Sequence, residues 1–163
     1  MESPIKPAVR AVTVLEVTDP TAVPESGIEL LDQDAIQLQS MPLRVRRVIV
    51  RLEAAAVVFQ STNLRVRARA TVRKGRLGYV PFGPQAHGTV NGLPVRAGMM
   101  LAAQPDTEVR FVADAGWQSI TCLFPPQVIS AHLKARQRES EFHVPIGVEM
   151  LQVDAANVRV MLD

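Results

Sequence analysis

The side chains able to do chemistry in this sequence are few and scattered. Its three histidines, His87, His132 and His143, stand far apart, and position 89, two residues on from His87, is Thr89. A histidine metal site built on strands needs imidazoles at i and i+2, a carboxylate a few residues on, and a further histidine from a later strand. Alternate positions then converge on one ion. That pattern is missing, so the sequence predicts no metal and no metal-dependent chemistry. The single cysteine, Cys122, lies between Thr121 and Leu123 on an expected strand, the setting of a buried, inert thiol. No Gly-x-Ser-x-Gly elbow, phosphate-binding glycine loop or zinc spacing occurs. Asp32 and Asp34 fall near an expected helix start, where acids serve as caps or dipole partners. The expectation is no catalytic residue, no cofactor and no enzyme.

The densest polar pattern is Arg65, Arg67 and Arg69, with Arg73 and Arg76 beyond, interleaved with Leu64, Val66, Ala68, Ala70 and Val72. It has three readings. The arginines form the solvent face of an antiparallel sheet; or they face DNA, although no groove-entering helix accompanies them; or one or two point into a pocket. A guanidinium there would grip an anionic ligand through two parallel hydrogen bonds. Reversing the register would turn Arg67 or Arg69 inward. Tyr79, Phe82, His87, Met99 and Trp117 complete the candidate ligand-binding set, each taken singly fitting a core or rim position better and the group together fitting a pocket lining.

Length and composition bound the setting of these residues. A chain of 163 residues, 47% hydrophobic and 21% charged, suits one globular domain. No apolar run approaches the roughly 20 residues of a membrane span, and the start carries no secretory pattern. One cysteine excludes an internal disulfide and points to the cytoplasm. The net charge of +2 is modest, and the pI near 9.1 reflects arginine, since Lys6, Lys74 and Lys134 are the lysines. Aromatic content of 4% argues against base stacking on single strands.

The elements that must position the candidates are mostly strands. Val9 to Val17 alternates between prolines. From Ile28 to Ser40, Ile28, Leu31, Ala35 and Leu38 recur at helical spacing, which predicts a helix ended by Pro42. Leu43 to Leu52 reads as a strand whose period of two slips at Arg46-Arg47, the mark of a bulge. Ala54 to Phe59, Asn63 to Val72 and Leu77 to Pro81 follow as strands. Asn91-Gly92 predicts a type I′ hairpin, because both residues tolerate positive φ. Met99 to Ala103, Glu108 to Val112 and Trp117 to Phe124 are the last expected strands. Pro125-Pro126 opens a helix with Val128, Ile129, His132 and Leu133 on one face. Lys134 to Glu141 reads as solvated and Pro145 to Gly147 as a loop, and a final helix begins after Asp154. The chain stops about two turns into that helix, with its apolar face of Ala155, Val158, Met161 and Leu162 unfinished. That predicts a piece of a longer protein, ending where a linker helix begins.

A family resemblance enters with the second half of this pattern. The Asn91-Gly92 turn, the segment Leu93-Pro94 to Gly98, and an apolar strand ending near Pro105 resemble the second half of a cupin-like barrel. Trp117 to Leu133, a strand running into a helix, completes a likeness over roughly Leu43 to Leu133 to the N-terminal sensory domain of AraC-type transcription regulators. The resemblance implies a mainly β, cupin-like double-stranded β-barrel or jelly roll with flanking helices on the C-terminal side. Residues 1–27 would form an arm and edge strand, 28–124 the barrel, and 125–163 the dimerisation and linker helices. It further implies a small-molecule effector, a homodimer through the C-terminal helices, and DNA contact through helix-turn-helix units absent from these residues. A metal-free small cupin enzyme and a non-catalytic structural barrel are the alternatives.

Overall fold

A computed structural model describes residues 11–22 and 31–162. Twelve strands and two α-helices lie among them. Val12–Val17 (β1), Val45–Arg51 (β3), Ala56–Thr62 (β4), Leu77–Pro81 (β6), Met99–Ala103 (β9), Gln118–Phe124 (β11) and Val148–Gln152 (β12) form one antiparallel sheet, in the order β1-β3-β4-β11-β6-β9-β12. Leu31–Gln37 (β2), Val66–Val72 (β5), Gly88–Val90 (β7), Leu93–Pro94 (β8) and Glu108–Ala113 (β10) form the other, in the order β2-β5-β10-β7-β8. Most successive strands cross from one sheet to the other, the exceptions being β3–β4, β7–β8 and β11–β12, so the molecule is mainly β and jelly-roll-like. The two sheets face each other as a sandwich and do not close into a barrel, which corrects the expected closure.

The core follows from strand alternation. Val45 and Ile49 of β3, Ala56 and Val58 of β4, Leu123 of β11 and Leu101 of β9 turn inward from the larger sheet. Leu31, Val66, Ala70, Val72, Val90 and Val109 answer from the smaller. Trp117, 2% exposed, meets the edges of two rings, Phe82 at 5.3 Å and Phe111 at 6.3 Å between centroids. Such T-shaped contacts bring the positive edge of one ring to the negative face of the next. Asn91 and Gly92 both take positive φ, 48° and 81°, so the β7–β8 turn has the backbone that its sequence predicts. Gly88 is needed for space: a Cβ there would lie 1.9 Å from the Val112 carbonyl oxygen.

Two expectations fail, and one strand was not foreseen. The helix expected at 28–40 is β2 over Leu31–Gln37, the first three of those positions lying outside the described residues. The spacing of Leu31, Ala35 and Leu38 suits a helix by coincidence. Seven partner pairs to β5 outweigh that local signal, with Leu31 and Ala35 turned to the core. The bulge at Arg46-Arg47 is absent, because β3 pairs with β4 without interruption from Val45↔Thr62 to Arg51↔Ala56. The stretch 148–152, to which the sequence reading assigned no element, is β12, an edge strand that seats Val148 and Met150 against the core beside β9.

Pro126–Ala135 (α1) begins at the expected proline pair, has no buried residue, and leaves Val128 exposed. Ala155–Leu162 (α2) buries Val158 and brings the Leu162 methyl within 3.0 Å of where a Cβ on Gly83 would lie. It leaves Val160 and Met161 exposed. Truncating Phe82, which is 1% exposed, to alanine should therefore cost about 3–5 kcal/mol, and Val128→Ala less than about 0.5 kcal/mol. Urea unfolding of both variants checks this, and equal costs would contradict the described core.

Candidate functional site

The unbroken alternation of β3 has a chemical consequence. With Val45 and Ile49 inward, Arg47 between them must also point between the sheets, and it is 1% exposed. Leu15 on β1 and Gln60 on β4 flank it in register. Gln33 reaches it from β2 in the opposite sheet. The Arg47 Nη2 donates to Gln33 Oε1 at 2.9 Å and to Gln60 Oε1 at 2.8 Å. One nitrogen thus ties the two sheets. Burial disfavours the charged form and pulls the guanidinium down to about 10, so it still carries its charge at neutral pH.

Three small voids adjoin this tie. One of about 20 Å³ lies at Arg47 itself, beside Leu43, Val45 and Ala68. The next, about 40 Å³, is walled by Gln33, Gln60, Phe111, Trp117, Ser119 and Thr121. The third, about 30 Å³, is mostly aliphatic, with Val72, Gly78, Leu101, Ala103 and Val109 in its wall. Gln33 borders all three. The interior therefore grades from a cation through amides and hydroxyls to hydrocarbon. Ser119 accepts from Trp117 Nε1 at 3.1 Å, which fixes the indole in the wall of the middle void.

The residues expected to line a pocket are spread over the molecule. Trp117 reaches the voids, and Phe82 supports it from the core. Met99 is half-buried and packs on the core. Tyr79 lies opposite Cys122 on the outer face of the larger sheet, and burial raises its phenol above the usual range. His87 is exposed in the loop before β7. Arg67 and Arg69 face solvent on the outside of the smaller sheet, so the inward reading of the stripe does not hold. Arg65 pairs with Asp114 at 3.1 Å, Arg73 with Asp32 at 2.6 Å, and Arg69 with Asp34 and, at 4.0 Å, Glu108. The two aspartates expected to serve a helix start are cross-strand partners instead. A groove of about 350 Å³ runs over this face between Ile36, Arg67 and Arg110.

The interior polar residues, Arg47, Gln33 and Gln60, escaped the sequence reading. The signal for Arg47 was the strict alternation Val45-x-Arg47-x-Ile49, hidden by reading Arg46-Arg47 as a bulge. Among the described residues no group of three or more His, Cys, Asp and Glu is placed to hold a metal ion. Cys122 is buried, and its thiol is pushed up to about 11 by desolvation.

The outer ion pairs have a pH signature. The Arg69 side chain, hydrogen-bonded to Asp34, holds that carboxyl below its ordinary 3.8, and Arg73 does the same for Asp32. A depressed carboxylate contributes stability that is present above the ordinary value and lost as pH falls through the folded value. Asp34→Asn should lower stability modestly at pH 7 and leave it nearly unchanged in acid, so the limb below about pH 4 becomes shallower. Thermal unfolding between pH 2 and 7 checks this, and an unchanged acid limb would contradict it.

No family model matches the chain, and no curated protein matches it. Among solved structures, the crystal structure of the AraC-like transcriptional activator CuxR is similar to this chain at 12% identity and a TM-score of 0.47. The match covers 80% of this chain and 48% of CuxR, so the chain corresponds to about half of that protein's length. A likeness at this level leaves ligand and mechanism to the residues of this chain.

Proposed function

We propose that this chain is the small-molecule-sensing and dimerisation part of an AraC-type transcriptional regulator, acting in the cytoplasm on helix-turn-helix units outside these residues. The observation that carries the reading is the Gln33–Arg47–Gln60 cluster, a buried charge with convergent amides beside voids in an otherwise apolar sandwich. A few placed polar groups in an apolar, enclosed site are the ordinary make-up of a small-molecule pocket. The sequence resemblance supplies the regulator context. No described helix is long and apolar enough to cross a membrane.

The mechanism is a shift between two arrangements of the sandwich. An effector entering the voids exchanges contacts with Gln33, the one member of the cluster that belongs to the smaller sheet. Its different affinity for the tied and untied arrangements sets their populations. The path to the helices is short. Ser119 and Thr121 wall the middle void on β11, and α1 starts two residues after that strand ends. Gly83, against which α2 packs, donates its backbone N–H to the Gln118 carbonyl at the head of the same strand. The exposed side of α1, with Val128 and His132, then offers a surface to a second copy.

The competing reading is a structural sandwich that only pairs with itself. The size of the voids favours it, since 20 to 40 Å³ is room for only a few waters. A thermal-shift panel of sugars, aromatics, amines and acids separates the readings. The sensor raises its midpoint with at least one compound that is recovered unchanged. A compound consumed on incubation would replace the sensor with an enzyme, and a silent panel would leave the structural sandwich. Light scattering should show a dimer that Val128→Glu converts to monomer without lowering the unfolding midpoint. A monomer at every concentration would remove the dimerisation claim.

A further inference from the structure

We infer that the outer groove of the smaller sheet binds an aromatic monocarboxylic acid, its carboxylate on Arg67 and its ring against the guanidinium planes of Arg69 and Arg110. The site is separate from the interior voids and uses the arginine stripe, which the sensing reading leaves without a role. Three observations carry it. The first is one uncompensated charge at the middle of this face. Arg65 pairs with Asp114, Arg69 with Asp34, and Arg110 with Glu108. Arg67, exposed between them, has no ion pair or hydrogen bond of its side chain to a described residue. Its register partners are Ile36 on β2 and Val112 on β10, whose side chains accept nothing. Asp34, the acid of the groove wall, feels the charge of Arg67 but accepts its hydrogen bonds from Arg69. A bound carboxylate therefore meets no competing acid at Arg67 and can take two parallel hydrogen bonds from its fork. The second charge of a phosphate would find no further free guanidinium there and would face Asp34 and Glu108.

The second observation is how the neighbouring arginines are held. Arg69 and Arg110 stand directly opposite each other, an arrangement in which like charges repel. Each is answered by an acid at the edge of its guanidinium. Arg69 Nε donates to both oxygens of Asp34 at 3.2 and 3.1 Å, its Nη2 bonds the same carboxylate, and its Nη1 lies 4.0 Å from Glu108. Arg110 Nε donates to Glu108 at 2.7 Å. With their edges occupied, both groups offer their flat faces, on which an aromatic ring stacks and a saturated ring gains no such contact. The third is room. The groove holds about 350 Å³, against 20 to 40 Å³ in each interior void, and lies at the small end of the roughly 300–1,000 Å³ of organic-ligand sites. Ile36, 58% exposed, adds apolar surface beside Ala35 and Ala68.

Titration calorimetry of the 163-residue chain with 2-naphthoate, 2-naphthamide and decahydro-2-naphthoate tests the site. Naphthoate should bind about tenfold or more tightly than the amide, which lacks the charge, and several-fold more tightly than the saturated acid, which lacks the π-face. Arg67→Gln alters an exposed side chain, so it should keep the unfolding midpoint and lose naphthoate binding by about tenfold or more. The comparison of the three probes on the unaltered chain needs no variant at all. Equal binding of naphthoate and naphthamide, equal binding of the aromatic and saturated acids, or no binding of naphthoate would overturn the proposal. So would naphthoate binding that survives Arg67→Gln. A thermal shift that Arg67→Gln abolishes belongs to the groove and one that survives it to the interior, so this proposal and the sensing reading fail separately.

Discussion

The two sheets of this protein are tied through one guanidinium nitrogen. Strand alternation leaves β3 no other arrangement: Val45 and Ile49 belong to the core, and whatever stands between them on the same face goes in with them. Placing an arginine there costs several kcal/mol of lost hydration, on the order expected for any buried ion. The cost is offset only where hydrogen bonds replace the water, and that requirement reaches outward through the fold. Gln60 must stand directly across on β4, and β2 must lie over the larger sheet so that Gln33 can reach the same atom.

An apolar residue in place of Arg47 would serve a sandwich meant only to be stable. The neighbouring core shows how readily this chain fills space with hydrocarbon, in Ile49, Val58, Leu101 and Leu123. Against that background the polar line of Arg47, Gln33, Gln60, Ser119 and Thr121 is a local departure, and it coincides with the places where packing is incomplete. Polarity and imperfect packing together weaken a core and suit a site that exchanges partners.

Much of the fold was legible because strands announce themselves by period two and turns by glycine and asparagine. The Asn91-Gly92 hairpin, the alternation of β5 and the Pro125-Pro126 helix start all follow from backbone preferences that tertiary contacts reinforce. The failures share a cause. β2 and β12 are edge strands whose local sequence is ambiguous or helical, and pairing that cannot be seen from the segment alone decides them. The site was less legible than the fold. Arg67 and Arg69 on β5 face solvent, one of the three readings left open for the stripe, whereas Arg47 on β3 points inward, although both strands alternate in the same way. What separates them is the neighbour set: Arg69 finds Asp34 across its strand at the surface, whereas Arg47 finds Gln60 within the core.

The outer charges and the inner tie are two faces of one register. β2 pairs with β5 so that Asp34 meets Arg69 and Gln33 meets Ala70. Because side chains alternate, a slip of one residue in β5 would turn Arg67 and Arg69 toward the core and carry Ala68 and Ala70 to solvent. Exposed ion pairs such as Arg69–Asp34 contribute little to stability by themselves. The slipped register fails for a different reason, since it would bury two more guanidinium groups in a core whose polar acceptors already serve Arg47. The register is therefore fixed by what the core refuses, and the surface pairs follow from it. That same refusal holds Gln33 inward, within reach of Arg47.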